Sequence, residues 1–351
     1  MNRKLITILL AVMMLFGGAG LASAKTARIA WSHYTGWEVW QYIKDSGIMA
    51  KWAKKYGYDE IEIVFVGSYP GSIDLYNNGD FDGCTMTVMD ALMGPAINGI
   101  DSTVLIVGDF SNGNDGIVLI NGQSVKDLFG RDLLLVPYSV THYMVARALG
   151  MNGMTERDLN LISTDEDSIV DAFKSDARSN PKAAAATWNP FLMSIREVKN
   201  ANLVFDSSKI PGEIIDTLVV RTDADEGLKR ALVGAWYDAM KIMSNSRSKL
   251  GKDALKAMAK SAGVTPHGFK SQLKTTRMFY SPNEAVRFVE SQKLKKTMNY
   301  VREFIGSQRL YIDGSADSNV IGIQFSDDSI VGDPNNVKLR FPSEYMEEAG
   351  K

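Results

Sequence analysis

Short apolar runs alternate with amphipathic stretches along the first part of the chain, and this alternation predicts strands that are followed by helices. The predicted strands are 27–31, 61–66, 81–85 and 103–107, and the predicted helices are 37–56, 72–77 and 88–97. A turn is expected at 67–71, where Gly, Ser and Pro cluster. Alternating elements of this length favour a mostly parallel sheet that is covered by helices.

A polar, Gly-rich segment at 109–116 interrupts this pattern, and a second alternating set follows it. The second set has predicted strands at 117–120, 133–136, 159–162, 183–187 and 202–205, helices at 141–149 and 168–174, and a short helix that begins at Pro190. Residues 206–212 have the character of a return crossing, so the strand at 216–220 is expected to rejoin the first sheet.

The C-terminal third is predicted to be largely helical, with helices at 228–243, 252–262, 281–292 and 293–304. Residues 314–351 show little periodicity and several Gly, Asp and Pro, which is typical of a wrapped or partly mobile tail.

These elements together predict an α/β protein with two lobes, two mostly parallel sheets and a helical C-terminal supplement. The predicted first lobe is 25–110 and the second is 111–212, while 213–351 supplies the return strand, the C-terminal helices and the tail. Two crossings make a hinge, and a cleft between lobes is a favoured place for a ligand, outside the carboxyl ends of the strands. Closure about the hinge is the expected motion.

The N-terminus predicts export. Arg3 and Lys4 precede an apolar run at 5–16, and the small residues at 22–24 suit signal-peptidase cleavage after Ala24. The apolar run is short for a membrane span. We therefore expect a periplasmic protein with residues 1–24 removed as a signal peptide.

Composition narrows the function further. The chain has 39 basic and 41 acidic residues, and removal of two basic residues with the signal leaves a mildly acidic protein. The absence of a basic tract disfavours nucleic-acid binding. Cys84 is the only cysteine and lies in an apolar run, so it is expected in the core; with three His in the chain, a zinc site is not predicted. We predict no cofactor, and a monomer.

The loops that follow the predicted strands are rich in aromatic and acidic residues and contain no Lys or Arg. A pocket for sulfonate, nitrate or phosphate usually recruits a guanidinium or ammonium group, although helix N-termini can also hold an anion. Carboxylates and ring faces instead suit a small cation, and a neutral amide such as urea fits the same walls. The predicted ligand-binding residues are Trp31, His33, Tyr34, Glu38, Tyr69, Thr87, Asp90, Asp109, Tyr138, Ser139, Thr141 and Trp188.

Several of these candidates have a purely structural alternative. Thr87 or Asp90 could cap a helix, as could Ser139 or Thr141. Trp31 could belong to the core. Other candidates could complement a helix dipole (Glu38), hold the hinge through Asx turns (Asp109 and Asp115) or serve only as hydrogen-bonding residues (His33 and His142).

Known catalytic motifs are absent from the sequence. It contains no Gly-x-Gly-x-x-Gly loop, no Walker loop, no Gly-x-Ser-x-Gly elbow and no His-Glu-x-x-His helix. We therefore predict that the protein is not an enzyme.

Four segments carry a resemblance to a known group: 69–77 (YPGSIDLYN), 81–87 (FDGCTMT), 138–143 (YSVTHY) and 188–190 (WNP). On these segments the chain resembles ABC-importer substrate-binding proteins of the nitrate, sulfonate and taurine type, whose fold is the type II periplasmic binding protein fold. Segments 31–38 and 107–116 resemble the branch described as urea transporters associated with urea carboxylase. The resemblance implies a periplasmic receptor that delivers urea or guanidine to a membrane permease and its ATPase. In the superfamily, the N-terminus of a second-lobe helix often contacts an anionic group of the ligand, and the resemblance maps this position to Ser139 and Thr141. The acidic loops of this chain are at odds with an anionic ligand.

The leading hypothesis is thus a receptor for guanidinium or urea. A second hypothesis keeps the binding role with an alkylsulfonate, nitrate, bicarbonate or a pyrimidine precursor of thiamine as the ligand. A third is an exported enzyme on the same fold.

Overall fold

Two β-sheets organise the residues that the structure, a computed structural model, describes, namely 24–311 and 314–351. The predicted signal peptide falls almost wholly on 1–23, outside the described residues. Each sheet contains parallel strand pairs together with antiparallel pairs, and helices pack against both sheets. The two-sheet α/β architecture predicted from the sequence is therefore confirmed.

Within the described part of the chain, the first sheet contains nine strands: β1 (Thr26–Trp31), β2 (Glu60–Phe65), β3 (Gly83–Thr87), β4 (Ser102–Ser111), β10 (Ile215–Arg221), β11 (Thr276–Met278), β12 (Gly322–Phe325), β13 (Ile330–Val331) and β14 (Val337–Phe341). Their spatial order is β13–β12–β14–β4–β10–β3–β1–β2, and β11 pairs with the C-terminal end of β4.

The strands of the second sheet are β5 (Asp115–Ile120), β6 (Asp132–Leu135), β7 (Asn160–Ser163), β8 (Ala184–Trp188) and β9 (Ala201–Asp206). Their spatial order is β7–β6–β8–β5–β9. The sheet membership of these strands agrees with the proposed lobes, whose boundaries stay predictions.

The helices alternate with the strands along the first two thirds of the chain and then dominate. They are α1 (Glu38–Asp45), α2 (Ile48–Lys55), α3 (Tyr69–Asn78), α4 (Val88–Ala91), α5 (Val140–Met151), α6 (Ile169–Asp176), α7 (Phe191–Arg196), α8 (Glu226–Ser244), α9 (Lys249–Ser261), α10 (Pro266–Leu273), α11 (Pro282–Val289), α12 (Gln292–Ser307) and α13 (Glu344–Ala349). None of them combines the length and the apolar character needed to cross a bilayer, within the residues described.

Local sequence explains where the first helices differ from the prediction. The single helix predicted at 37–56 is two helices, because Gly47 adopts a left-handed conformation (φ 74°) between α1 and α2. The turn predicted at 67–71 is instead the start of α3: Ser68 caps the helix by accepting a hydrogen bond from the Gly71 amide, and Pro70 suits the first turn. The helix predicted at 88–97 is the short α4 followed by a π-helical turn (Leu92–Ala96).

The strands at the hinge are longer than the sequence pattern indicates. β4 continues to Ser111 and β5 begins at Asp115, so most of the predicted polar crossing is strand. As predicted, β10 rejoins the first sheet, where it lies antiparallel between β3 and β4. Its Asp216 is the register partner of Thr87 on β3 and of Asp109 on β4, and an irregularity follows it at Thr217.

The C-terminal region holds the largest correction. The predicted tail at 314–351 instead carries β12, β13, β14 and α13, and β14 pairs in parallel with β4. Its strands are short, which hides the alternation on which a sequence prediction depends. Among the predicted elements, α10 and β11 have no counterpart.

Buried apolar side chains fill the space on both sides of the sheets. The small residues of β8 are fully buried, which lets helices pack closely over that strand. Cys84 is buried as predicted, and burial raises the pKa of its thiol to about 12.

Candidate functional site

A cleft of about 720 Å³ lies at the carboxyl ends of strands from both sheets. Thr87, Ser163 and Trp188, which line it, are the last residues of β3, β7 and β8. This is the position expected for a ligand in an α/β fold. The other lining residues used below are His33, Tyr34, Trp37, Tyr69, Asp74, Asp90, Asn114, Asp115, Tyr138, Ser139, Asp165, Glu166, Asp167 and Asp216.

One side of the cleft, the first-sheet wall, is formed by Trp37, Tyr69, Thr87 and Asp90. The Tyr69 hydroxyl donates a hydrogen bond to the Asp90 carboxylate, and the Thr87 hydroxyl donates to Asp90 Oδ2 at 2.6 Å. Thr87 also caps α4, since its Oγ1 accepts a hydrogen bond from the Asp90 amide at 3.1 Å. The Trp37 ring packs 5.4 Å from the Tyr69 ring. Of the two predicted capping candidates, Thr87 is therefore the cap, and it also lines the cleft.

Burial raises the pKa of Asp90, while the hydrogen bonds from Thr87 and Tyr69 act in the opposite direction. The carboxylate is 7 % exposed and has donors already in place. These donors favour the charged form of Asp90 and offset part of the effect of its burial.

The hinge floor, formed by Asn114, Asp115 and Asp216, closes the cleft where the chain crosses between the sheets. Asp216 is 3 % exposed and Asp115 is 2 % exposed. Burial raises the pKa of Asp115 to about 6, against hydrogen bonds from the Ser111 and Thr141 hydroxyls. The pKa of Asp216 lies well above its usual range because of burial and because of the nearby Asp109 and Asp115 carboxylates.

Asp109 lies directly behind the hinge floor and is fully buried. Its Oδ1 accepts a hydrogen bond from the Tyr34 hydroxyl at 3.2 Å. Burial raises its pKa to about 7, although hydrogen bonding to Asp216 lowers it. Asp109 and Asp216 are register partners on adjacent strands, and two neighbouring carboxyl groups without a cation ionise together only at high cost, so ionisation of one opposes ionisation of the other.

Five polar atoms of cleft-lining side chains have no hydrogen-bond partner within the described chain, although each is buried: Trp37 Nε1, Asn77 Oδ1, Asn114 Nδ2, Asn114 Oδ1 and Asp216 Oδ2. Buried polar groups in folded proteins are nearly always hydrogen-bonded. Their grouping at one cleft points to a ligand that supplies the partners.

The first turn of α5 also faces the cleft but is already occupied by groups of the protein. The Ser139 side chain caps α5 through the His142 amide and donates to the Val136 carbonyl at 2.8 Å. Thr141 is buried and donates to Asp115 Oδ1 at 2.8 Å. The carboxylate of Asp115 thus lies beside the first turn of α5, where an anionic ligand would have to compete with it.

Eight of the twelve predicted ligand-binding residues line the cleft: His33, Tyr34, Tyr69, Thr87, Asp90, Tyr138, Ser139 and Trp188. Their contact with a ligand stays a prediction.

The remaining four lie behind the cleft surface, which corrects their predicted place. Trp31 is 1 % exposed and packs against the Phe65 ring, so it belongs to the core. Glu38 is equally buried and contacts His33 Nδ1 through Oε1 at 2.6 Å. Asp109 and Thr141 support Asp216 and Asp115, respectively, from behind.

Several residues that line the cleft are not among the predicted ligand-binding residues. Asp216 opens an apolar strand that carries no motif, and Trp37 lies on a helical apolar stripe that is typical of core. Asp165, Glu166 and Asp167 form an acidic loop after β7, which is not among the loops predicted to line the cleft. The one local signal that could have identified Asp216 is its position as a polar residue near the start of the return strand.

Charge is distributed one-sidedly around the cleft. Carboxylates are supplied by the first-sheet wall, the hinge floor and the acidic loop, and no Lys or Arg is among the lining residues in the described ranges. The described residues also contain no group of three or more His, Cys, Asp or Glu arranged to hold a metal ion. The cleft can therefore receive N–H donors and positive charge, and it offers few partners to an anion.

Comparison with known proteins identifies the fold. No protein-family model matches the chain, and no curated protein sequence matches it either. Solved structures do match. The periplasmic aliphatic sulphonate binding protein SsuA from Escherichia coli is 14% identical with a TM-score of 0.66, over 84% of this chain and 96% of that chain.

Two further structures agree. The alkanesulfonate-binding protein SsuA from Xanthomonas axonopodis pv. citri, bound to MOPS, is 15% identical with a TM-score of 0.62, over 84% of this chain and 97% of that one. A Candida albicans gene product described as exhibiting the generic periplasmic binding protein structural fold is 12% identical with a TM-score of 0.59, over 79% of this chain and 89% of that one. The chain therefore has the periplasmic binding protein fold.

Proposed function

We propose that this protein is the periplasmic solute-binding component of an ABC importer and that its cleft captures a small cationic nitrogen compound of the guanidinium type. The fold supports the binding role, and the predicted signal peptide supports the periplasmic location. The permease and ATPase of the importer are the proposed partners.

The observation that carries the choice of ligand is the charge of the cleft. Asp90 and Asp216 present carboxylates from two sides, while Trp37, Tyr69 and Trp188 supply ring faces. A guanidinium ion has N–H donors for both carboxylates and a flat, delocalised charge that stacks on aromatic rings. Urea has the same shape and fewer donors, and it lacks the charge, so we expect it to bind more weakly.

A second candidate ligand is an alkylsulfonate, because two of the similar solved structures are sulfonate-binding proteins. The cleft of this chain lacks a basic lining residue within the described ranges, and the Asp115 carboxylate lies at the first turn of α5. Both features disfavour a sulfonate group.

Calorimetric titration of the purified protein with guanidinium chloride, urea, taurine, nitrate and bicarbonate tests the proposal. We expect saturable binding of guanidinium at concentrations far below those that denature proteins, weaker binding of urea, and no heat of binding with taurine. An exposed carboxylate outside the cleft, Asp253 on α9, provides the matched control, so Asp253→Asn should bind like the native protein. Binding of taurine or nitrate without guanidinium would refute the cationic assignment.

A further inference from the structure

The hinge floor has two features of a binding site, namely unpartnered buried polar atoms and a position at both crossings between the sheets. Asn114 and Asp216 are buried, line the cleft and carry unpartnered atoms, namely both amide atoms of Asn114 and Oδ2 of Asp216. They belong to the two separate segments in which the chain passes between the sheets. A group bound here therefore contacts both crossings at once.

The carboxylate pair behind the floor is held in place by close packing. A Cβ atom at Gly36 would lie 2.1 Å from Asp109 Oδ2, so only glycine at this position lets the backbone approach the carboxylate so closely. Asp109 and Asp216 are register partners on β4 and β10. The register therefore places both side chains on the same face of adjacent strands.

The ionisable groups that surround this pair are acidic or phenolic. Tyr34 follows β1, and Asp115 begins β5. Tyr69 lies on α3, where burial and Asp90 raise the pKa of its hydroxyl and the charge of Asp216 adds to this effect. On the other flank of β10, Asp90 follows Thr87 of β3. The resulting environment disfavours full ionisation of the pair, and burial raises the pKa of Asp109 to about 7.

The basic residue on the strand next to Asp109 does not relieve this repulsion. Arg277 of β11 is the register partner of Phe110, so it lies on the opposite face of the ladder from Asp109. Its guanidinium group forms an ion pair with Glu284 at 3.2 Å. Compensation for the carboxylates must therefore come from a proton or from a bound cation.

We propose that Asn114 and Asp216 form a hinge subsite that takes the cationic, N–H-bearing end of the solute in exchange for the proton that Asp216 shares with Asp109. The inference rests on the proposed function and adds the place and the chemistry of capture. The Asn114 carbonyl oxygen and Asp216 Oδ2 accept N–H bonds from the solute, and the displaced proton passes to the solvent. One positive charge enters and one leaves, so the net charge of the buried site stays constant, which avoids the cost of burying an unpaired charge.

A measurable pH dependence follows from the exchange. For one proton released per solute bound, the affinity for guanidinium should rise by close to tenfold per pH unit below about pH 6 and should level off above about pH 7, where the free pair loses the proton by itself. Urea carries no charge and displaces no proton, so its affinity should change far less over the same range.

The test is calorimetric titration of the full protein with guanidinium chloride at pH 6.0 and 7.0, each in two buffers of different ionisation enthalpy. The dependence of the observed enthalpy on the buffer counts the protons released. We expect a value close to one at pH 6.0 and a smaller value at pH 7.0, for the native protein and for Asp253→Asn alike. Asp109→Asn removes the second carboxyl group that raises the pKa of Asp216 but leaves the effect of burial, so it should still bind guanidinium while releasing fewer protons than the native protein.

The outcomes separate the two proposals. Saturable guanidinium binding without proton release in the native protein overturns the exchange but leaves the proposed function intact. The same holds if Asp109→Asn releases as many protons as the native protein. Absence of guanidinium binding at both pH values overturns both proposals. The native proton count decides the question even if the variant does not fold.

Discussion

The first-sheet wall and the hinge floor both present a buried carboxylate to the same cleft, yet the two carboxylates are prepared in opposite ways. Asp90 receives hydrogen bonds from Tyr69 and Thr87, both of which come from nearby parts of the chain. Asp216 has an unpartnered oxygen and a second carboxyl group, Asp109, beside it. The first arrangement stabilises a charge before the solute arrives, whereas the second withholds the charge until a cation replaces a proton.

This difference shows that a carboxylate in a cleft has no fixed role. Donors around Asp90 offset part of the cost of its burial within the protein itself. At Asp216 the cost is not offset within the protein, and the solute itself completes the site. The acidic composition of the cleft loops indicates both possibilities and cannot separate them.

The largest effect is expected for Asp216→Asn. This change removes the charge from the hinge floor, and loss of one partner of a buried charge pair should weaken guanidinium binding about 100-fold. The measurement is the dissociation constant by calorimetry at pH 7.5. A loss smaller than that of Asp90→Asn would reverse the proposed ranking of the two carboxylates.

Asp90→Asn should have the next largest effect and should distinguish the two candidate solutes. We expect guanidinium affinity to fall about tenfold or more, because a charge-assisted hydrogen bond is lost, and urea affinity to fall about fivefold or less, as for a neutral hydrogen bond. Parallel titrations of the two solutes give the ratio. Equal losses would show that Asp90 contributes no charge effect.

Asp109→Asn should change how the stability of the free protein depends on pH. The raised pKa of Asp109 means that the folded state holds this proton more tightly than the unfolded chain does. The stabilisation is therefore complete below the ordinary carboxyl pKa and is lost as the pH rises through about 7. Asn has no proton to lose, so the Tm of the variant relative to the native protein should rise by about 3 °C between pH 5 and pH 8.

Thermal melts without solute at the two pH values provide this measurement, with Asp253→Asn as the control. A Tm difference that stays constant with pH would argue against a shared proton in the free protein.

The smallest effect is expected at the ring face of Trp188, which is the register partner of Asp115 across β5 and β8. Trp188→Ala removes a cation–π contact of about 1 kcal/mol, so guanidinium affinity should fall about fivefold. Trp188→Phe keeps a ring and should recover part of the loss. If both variants bind guanidinium as the native protein does, the ring lines the cleft without contacting the solute.

Some of the site could be predicted because its signals are local in the chain. Tyr69 begins the helix that follows β2, and Thr87 and Asp90 lie where β3 passes into α4, so turn and capping preferences place all three at strand ends. The same logic places Tyr138 and Ser139 after β6, and Trp188 at the end of β8. It fails for Trp31 and Glu38, since a residue at a strand end or in a first helical turn can point either into the core or into the cleft.

What the sequence by itself determined is the alternation of strands and helices, the two crossings, and an acidic, aromatic set of loops, because each depends on residues that are close together in the chain. Only the tertiary structure decided that Asp109 and Asp216 meet, since the contact joins strands more than a hundred residues apart and depends on their register in the sheet. It likewise decided that residues 314–351 extend the first sheet, because such short strands are specified by their neighbours rather than by their own pattern. The proposed proton exchange originates in this nonlocal register.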